Sequence, residues 1–522
     1  MDFTKGKTWI VTNGITALFV IAMVLIDLLV VFSGTHSWTN KTEGLLIYPV
    51  DLAIGVTLVF MLAVIFKNLD RPLHVDSEEK ADGLIKKACC VAYLLLFYWS
   101  CNYAFKTGWD AGTIDEAAHE LLISHWTSVS DWHSFYFSVY PNNVFLLWCT
   151  AVLRAVEVGF GLFNSAAFSR VELLITCFIT IMTSYFVYRI LCILTSWKMA
   201  LCGWVLYMVY IAVSPWTVIF YSDSLGLIIP TGIFYLYLRE PKTPFTRKWK
   251  WPLLAFLSGI AYILKPQTFI LSIAILLVHV ALKLRESKNF WKSLIVCTIA
   301  FSVAMCIPDI QKKTLPLKID AEQEMGPVHF FMMGLNPETD GAFLQEDVEF
   351  SESFSTASER TAADISRAKD RLEAYGLFGY LKHLRNKILV IYADGTFAWA
   401  REGGFWPDEY PETNYFISNR VRSIYCGSHL EGWQTYSQVF WFAFLFLSVF
   451  SAFGNSTHKN ELLILQLSLF GLFLFELLFE ARARYIYTYA PIYLMLAVVG
   501  VDSILTRTKN IFSKKLKVPQ NG

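Results

Sequence analysis

Twelve stretches of the chain stay apolar for about the 20 residues that a helix needs to cross the hydrocarbon core of a bilayer. They run roughly 9–32, 47–66, 88–105, 171–190, 198–217, 223–238, 251–264, 267–284, 290–308, 437–454, 461–478 and 485–505. Short polar joints separate most of them, and two interruptions are longer. The first, Lys106 to Asn143 (KTGWDAGTIDEAAHELLISHWTSVSDWHSFYFSVYPNN), is polar, aromatic and acidic. Within it Ile114, Ala118, Leu121 and Leu122 recur at helical spacing on one face. That pattern predicts a helix lying along a membrane surface. The second, 309–436, holds the apolar stretch VHFFMMGLN, a run rich in Glu, Ser and Asp, and an amphipathic helical pattern around Ala363–Lys387. Val144 to Phe163 is apolar enough to span but carries Arg154 and Glu157.

Charge orients the spans, because cytoplasmic loops collect Lys and Arg. With the N-terminus inside, the inner segments hold 24 basic residues, among them the 239–250 loop (PKTPFTRKWK) and the tail RTKNIFSKKLK, and the short outer loops hold five: Lys41, Lys106, Lys265, Arg482 and Arg484. Both termini are therefore expected in the cytoplasm. Counting Val144–Phe163 as a span would put Arg189, Lys198 and the 239–250 loop outside, so it is read as a second interfacial helix. The expected fold is an all-α polytopic membrane protein of about 12 transmembrane helices. Its expected units are 1–85 (two helices and a cytoplasmic loop), 86–308 (a core with the outer loop 106–170), a small extracytoplasmic piece at 309–436, and the C-terminal helices and tail at 437–522.

Composition agrees with a membrane protein: of 522 residues 55% are hydrophobic and 17% charged, a low charged share for a soluble chain. A net charge of +1 points to no nucleic-acid partner. The first apolar run is longer than the roughly 7–15 residues of a signal-peptide core, so no cleavable signal is expected. Ten cysteines lie nearly all in apolar runs, and no CxxC or His/Cys cluster calls for zinc. His119, His125 and His133 are spaced too irregularly to argue for a metal.

Candidate chemistry gathers at the predicted outer ends of the spans. Asp110 follows Gly108-Trp109 just after the third span. A partly desolvated carboxylate there suits a general base, although Asp is also common in solvated loops and at helix caps. Asp115 and Glu116 read first as acids in the opening turn of the interfacial helix. Tyr140-Pro141-Asn142-Asn143 is an ordinary helix start whose side chains could also reach a sugar or phosphate. Asp223, in Tyr221-Ser222-Asp223-Ser224, is either a helix cap or a second acid. Lys265-Pro266 joins two spans, where a lysine can snorkel or hold a lipid phosphate as a point charge. Arg482, Arg484 and Tyr485 follow Glu480 at the mouth of the last span. Two arginines on an outer loop are disfavoured, and pairing with Glu480 or binding an anionic lipid would explain them.

Taken in order, these pieces resemble the C-type membrane glycosyltransferases, in particular the protein O-mannosyltransferase and aminoarabinose-transferase branch and related bacterial cell-envelope enzymes. The resemblance runs from the third span to the C-terminus. It rests on GWDAGTIDEAAHELL, YPNN, YRILCIL, SPWTVIFYSDS, ILKPQTF and FEARARYIYTYAPIY, with MGLNPETDGAFLQED similar to an outer-loop motif of Gram-positive members. It implies transfer of one sugar, with inversion, from a polyprenyl-phosphate donor to an acceptor hydroxyl such as a glycopolymer at the outer membrane face. Carried over, Asp110 is the base, with Asp115 as the alternative because the loop lacks an unmistakable Asp-Glu pair at the family's expected place. Lys265, Arg482 and Arg484 hold the phosphate, and Asp115, Tyr140, Asn142, Asn143, Tyr221, Asp223, His329 and Tyr485 complete the substrate site. No cofactor or metal is implied. The competing expectations are a transporter or flippase of lipid-linked saccharides, a ligase or polymerase of whole oligosaccharides, and a non-catalytic scaffold. Transporters place charge near the midplane, and Glu476 is the residue here that favours one.

Overall fold

The computed structural model of the chain describes residues 3–32, 47–68, 77–162, 168–283, 290–399, 413–454 and 456–516. Among the described residues every regular element is helical. The chain opens with α1 (Phe3–Phe32), α2 (Tyr48–Asn68) and α3 (Glu78–Cys101). The first interruption folds as α4 (Trp109–Ile123), α5 (Asp131–Val139) and α6 (Val144–Gly159). The bundle resumes with α7 (Arg170–Leu194), α8 (Trp197–Tyr210), the short α9 (Ser222–Gly226), α10 (Ile228–Leu238), α11 (Pro244–Leu264), α12 (Ile270–Lys283) and α13 (Phe290–Met305). The second interruption supplies α14 (Ile307–Thr314), α15 (Pro327–Met333), α16 (Gln345–Glu352), α17 (Ala357–Tyr392) and α18 (Phe416–Cys426). The chain closes with α19 (Leu430–Val449), α20 (Lys459–Leu478), a 3-10 segment Ala483–Tyr489 and α21 (Ala490–Leu516).

Serine and threonine caps start several of these helices. The Ser77, Ser169 and Ser196 hydroxyls accept the N–H of Lys80, Glu172 and Met199, each such cap contributing about 1 kcal/mol. All twelve expected spans fall on helices, and among the described residues eight helices are long and apolar enough to cross a membrane. The other four are shorter or more polar. Helix α8 has 14 residues, Ser222–Leu238 and Pro266–Val280 are short apolar helices, and α11 carries Arg247, Lys248 and Lys250 in its opening turns. Length and composition thus single out eight of the twelve expected spans among the described residues.

Helix α21 runs through the centre, with every residue from Ile492 to Val499 at most 2% exposed. It packs against α19, α8, α7 and α2. Gly55 lets α2 approach α19 closely, because a Cβ there would lie 1.9 Å from the Val439 carbonyl oxygen. At the periphery α13 exposes Trp291, Ile295, Ile299 and Val303. Such a continuous apolar face suits a lipid surround and would be a liability in water. The helix directions bring three joints to one end of the bundle: α8 to α9, α11 to α12, and α20 to α21. Helices α4 to α6 cover that end, and 315–392 is stitched to it. The Met325 N–H donates to the Val139 carbonyl at 3.0 Å. The Asp320 N–H donates to Ser138 Oγ at 2.9 Å. The far end carries the Lys67–Asp502 pair at 2.7 Å.

Candidate functional site

The carboxylate of Asp110 sits in the first turn of α4, half-buried. The turn before it is tight. Trp109 has φ +47°, a left-handed conformation that costs a non-glycine residue roughly 1–3 kcal/mol and persists only where surrounding contacts hold it. A Cβ at Gly112 would stand 2.3 Å from the Thr107 carbonyl oxygen, so this turn of the helix requires glycine. Helix α5 is set opposite by Glu120, whose carboxylate accepts the Ser130 N–H at 2.8 Å and contacts His133 Nδ1 at 3.0 Å. Burial works to raise the Glu120 carboxyl, but these hydrogen bonds outweigh it and hold it below the usual range.

Two phenols hold Asp110. The Tyr136 hydroxyl donates to Oδ1 at 2.8 Å and the Tyr221 hydroxyl to Oδ2 at 3.2 Å. Asn143 Nδ2 in turn donates to the Tyr136 oxygen at 2.7 Å. Burial first, and then the Asp110 charge, push both phenols well above their ordinary value, so both stay donors. A carboxylate has about four acceptor positions, so beyond the two phenols Asp110 keeps room to accept from a hydroxyl.

The chain of contacts continues into a cationic half. The Trp109 and Tyr221 rings meet edge-on at 4.8 Å. The Arg484 guanidinium stands over Trp109 at 4.7 Å and over Tyr485 at 5.5 Å. Lys265 lies over Tyr485 at 4.5 Å and donates to Asp223 Oδ1. Arg484 Nε is 4.0 Å from the other Asp223 oxygen. Asp223, Lys265 and Arg484 are all buried. One carboxylate thus faces two cations, which leaves a net positive charge in a water-poor setting where it acts strongly on an anion.

The structure brings Asp110, Asn143, Tyr221, Asp223, Lys265, Arg484 and Tyr485 into one connected cluster. Asn142 and Tyr140 border it: Asn142 Nδ2 donates to Asn143 Oδ1 at 3.2 Å, and the Tyr140 ring lies 5.4 Å from that of Tyr136. Among the described residues no group of three or more His, Cys, Asp or Glu could hold a metal.

Against this geometry the comparisons add a family. The sequence profile described as "conserved hypothetical integral membrane protein" matches residues 4–505. The chain belongs to that family. It is accordingly a multi-pass integral membrane protein. No curated protein matches it. Among solved structures it is similar to ArnT from Cupriavidus metallidurans bound to undecaprenyl phosphate, at 10% identity over 83% of this chain and 81% of that one, with a TM-score of 0.32. A likeness that loose establishes neither a shared fold nor a shared reaction.

Three expected site residues stand outside the cluster. Asp115 is held on α4 by Arg154 of α6, whose Nε and Nη2 donate to Oδ1 at 2.9 and 2.6 Å. Arg154 also pairs with Glu157 at 3.0 Å, and Glu157 accepts from Ser169 Oγ at 2.8 Å. Asp115 is therefore a tie between helices, one turn too far along α4 to share the Asp110 site. His329 is 1% exposed, with Nδ1 at 2.8 Å from Ser351 Oγ, which itself donates to Asp364 at 2.7 Å. Burial lowers its imidazole to about 4, so it is a neutral packing group. Arg482 pairs with Glu480 at 3.0 Å and lies over Phe343 at 5.5 Å.

Sequence reasoning missed Trp109, Tyr136 and Lys387. Buried Lys387 donates to the carbonyls of Gly334 at 2.9 Å and Phe479 at 2.6 Å. It thereby fixes the start of the loop that delivers Arg484. The Trp in GWD carried a usable signal, since an aromatic beside a candidate base at an interface invites a stacking role. Nothing in the pattern around Lys387 distinguishes it from its solvated neighbours.

Proposed function

We propose that the chain transfers a sugar from a polyprenyl-phosphate donor to an acceptor hydroxyl, with Asp110 as general base and Lys265 and Arg484 receiving the phosphate. The carrying observation is the single connected cluster in which a half-buried carboxylate and two buried cations meet at one end of a membrane bundle. In the reaction Asp110 takes the proton of the acceptor hydroxyl. The freed oxygen lone pair forms the new bond to the anomeric carbon. The bond from that carbon to the phosphate oxygen breaks on the opposite side, and polyprenyl phosphate leaves with the electron pair. The configuration inverts. Lys265 and Arg484 stabilise the charge that grows on the leaving phosphate, and the phenols of Tyr136 and Tyr221 keep Asp110 aimed.

The asymmetry of 24 inner against five outer basic residues supports placing the cluster on the outer face with both termini in the cytoplasm. A cell-envelope glycopolymer is the acceptor class that fits that side. The ArnT structure holds undecaprenyl phosphate, a carrier of the class proposed here, but the cluster alone supports the proposal. A carrier of lipid-linked saccharides is the second reading. It is favoured by Glu476, which is 0% exposed near the end of α20 with neither oxygen hydrogen-bonded, since an ionisable side chain within a span marks a functional site.

Turnover separates the two. The purified protein in lipid nanodiscs, given a polyprenyl-phosphate sugar and an acceptor polysaccharide, is expected to release polyprenyl phosphate. No release with any such donor, together with movement of intact donor between leaflets, overturns the transferase.

A further inference from the structure

A cavity of about 710 Å³ opens at the other end of the bundle. Its walls come from α3, α7, α10, the 239–242 loop and the start of α20. Helix α20 has 20 residues and ends beside the Asp110 cluster, so the two sites are separated by roughly 30 Å at 1.5 Å per residue. The cavity therefore belongs to a different place from the proposed transfer chemistry.

Its lining is organised for an anion. Arg189, on α7, is anchored from one side: Nη1 donates to Asp82 at 2.9 Å. Asp82 also accepts from Lys86 at 2.6 Å and from the Tyr185 hydroxyl at 3.1 Å. The Asp82 charge is thus spent inside the wall. The Arg189 Nε is enclosed in the wall without a hydrogen bond, while the side chain as a whole is 30% exposed towards the space. Arg239 and Lys242 line the same space, are exposed, and are in no ion pair among the described residues. They are also not needed to cap α10, because Lys250 Nζ does that, donating to the carbonyls of Tyr237 at 2.7 Å and Arg239 at 3.0 Å.

A partly exposed guanidinium and two cations outside any ion pair are what a phosphate oxyanion recruits. Glu240 and Glu461 face the same space and repel a highly charged ligand such as a nucleotide triphosphate. A singly charged diester meets the cations with a smaller penalty. Ile193 and Leu238 supply apolar wall next to the cations, which suits an ester attached to a hydrocarbon chain.

We infer that this cavity binds a phosphodiester headgroup, gripped by Arg189, Arg239 and Lys242. The diester comes either from a membrane lipid or from a soluble glycerophosphodiester, and the probes separate them. The full-length protein in detergent is titrated with dioctanoyl phosphatidylglycerol and, separately, with glycerophosphoglycerol, its deacylated headgroup. Saturation by the lipid alone assigns a membrane lipid. Saturation by both assigns the diester as the recognised unit. In either case the double variant Arg239→Glu/Lys242→Glu is expected to raise Kd at least tenfold. Both side chains are exposed and outside the proposed transfer site, so the variant's unfolding midpoint should match that of the wild type. Arg189→Lys, which keeps the charge but loses the planar fork, is expected to weaken binding less. No saturation by either probe overturns the inference, and so do binding unchanged in the double variant and tighter binding of ATP than of both diesters.

Discussion

Lys265 is the residue whose removal discriminates best between a structural ion pair and a phosphate site. It is 6% exposed and donates to Asp223, which is 1% exposed. In Lys265→Met the side-chain volume is nearly kept, but Asp223 faces only Arg484, whose Nε is 4.0 Å away. Removing one partner of a buried pair costs about 3–5 kcal/mol, because the other charge stays buried without compensation. Adding Asp223→Asn removes that charge, so the double variant should recover much of the loss, with a coupling energy of about 2–3 kcal/mol. Unfolding of detergent-solubilised protein by SDS titration reads these values. Binding of polyprenyl phosphate supplies the second readout, and there the two single variants should diverge. Lys265→Met removes a cation and weakens binding, whereas Asp223→Asn releases Lys265 and Arg484 and strengthens it. A Lys265→Met protein as stable as the wild type, with polyprenyl-phosphate binding intact, would refute the cluster as described.

Tyr136→Phe removes the donor 2.8 Å from Asp110. A hydrogen bond to a charged group is worth about 1.5–3 kcal/mol, so kcat should fall about 10- to 100-fold with donor KM little changed. Arg154→Met leaves Asp115, Glu157 and Glu172 clustered without their cation, and should destabilise the chain by more than 3 kcal/mol and lower the monodisperse yield. Burial lowers the Lys387 amine to about 7, while Glu476 and Glu480 act to raise it. The unfolded chain therefore binds the extra proton between about pH 7 and 10.5, so the penalty is full below pH 7 and relieved as pH rises. Stability should increase from pH 7 to 9, and Lys387→Met should flatten that slope at the cost of its two carbonyl hydrogen bonds.

The spans were legible because hydropathy and serine caps are local signals. Their lengths were less legible where aromatic and apolar residues fill short helices, as in α8 and Ser222–Leu238. Seven of the expected site residues lie in one cluster because polar groups at span ends converge once the helices alternate direction. The ion pair of Asp115 was not legible because its partner, Arg154, lies 39 residues on, in a helix whose pattern showed only Arg154 and Glu157 as isolated charges. The same distance effect hid Lys387, whose two acceptors are backbone carbonyls that no side-chain pattern records. Tyr136 was passed over among several aromatics of one loop, since only the α4–α5 crossing set by Glu120 and Ser130 picks it out.

The central claim is that Asp110 removes the acceptor proton. Asp110→Asn keeps the side-chain shape and an acceptor for one phenol but cannot take a proton. General-base catalysis contributes about 10²- to 10⁴-fold. Single-turnover release of polyprenyl phosphate from a polyprenyl-phosphate sugar should slow by that factor in Asp110→Asn, while the affinity for polyprenyl phosphate itself stays within about twofold, under 0.5 kcal/mol. Release at the wild-type rate in Asp110→Asn would contradict the account.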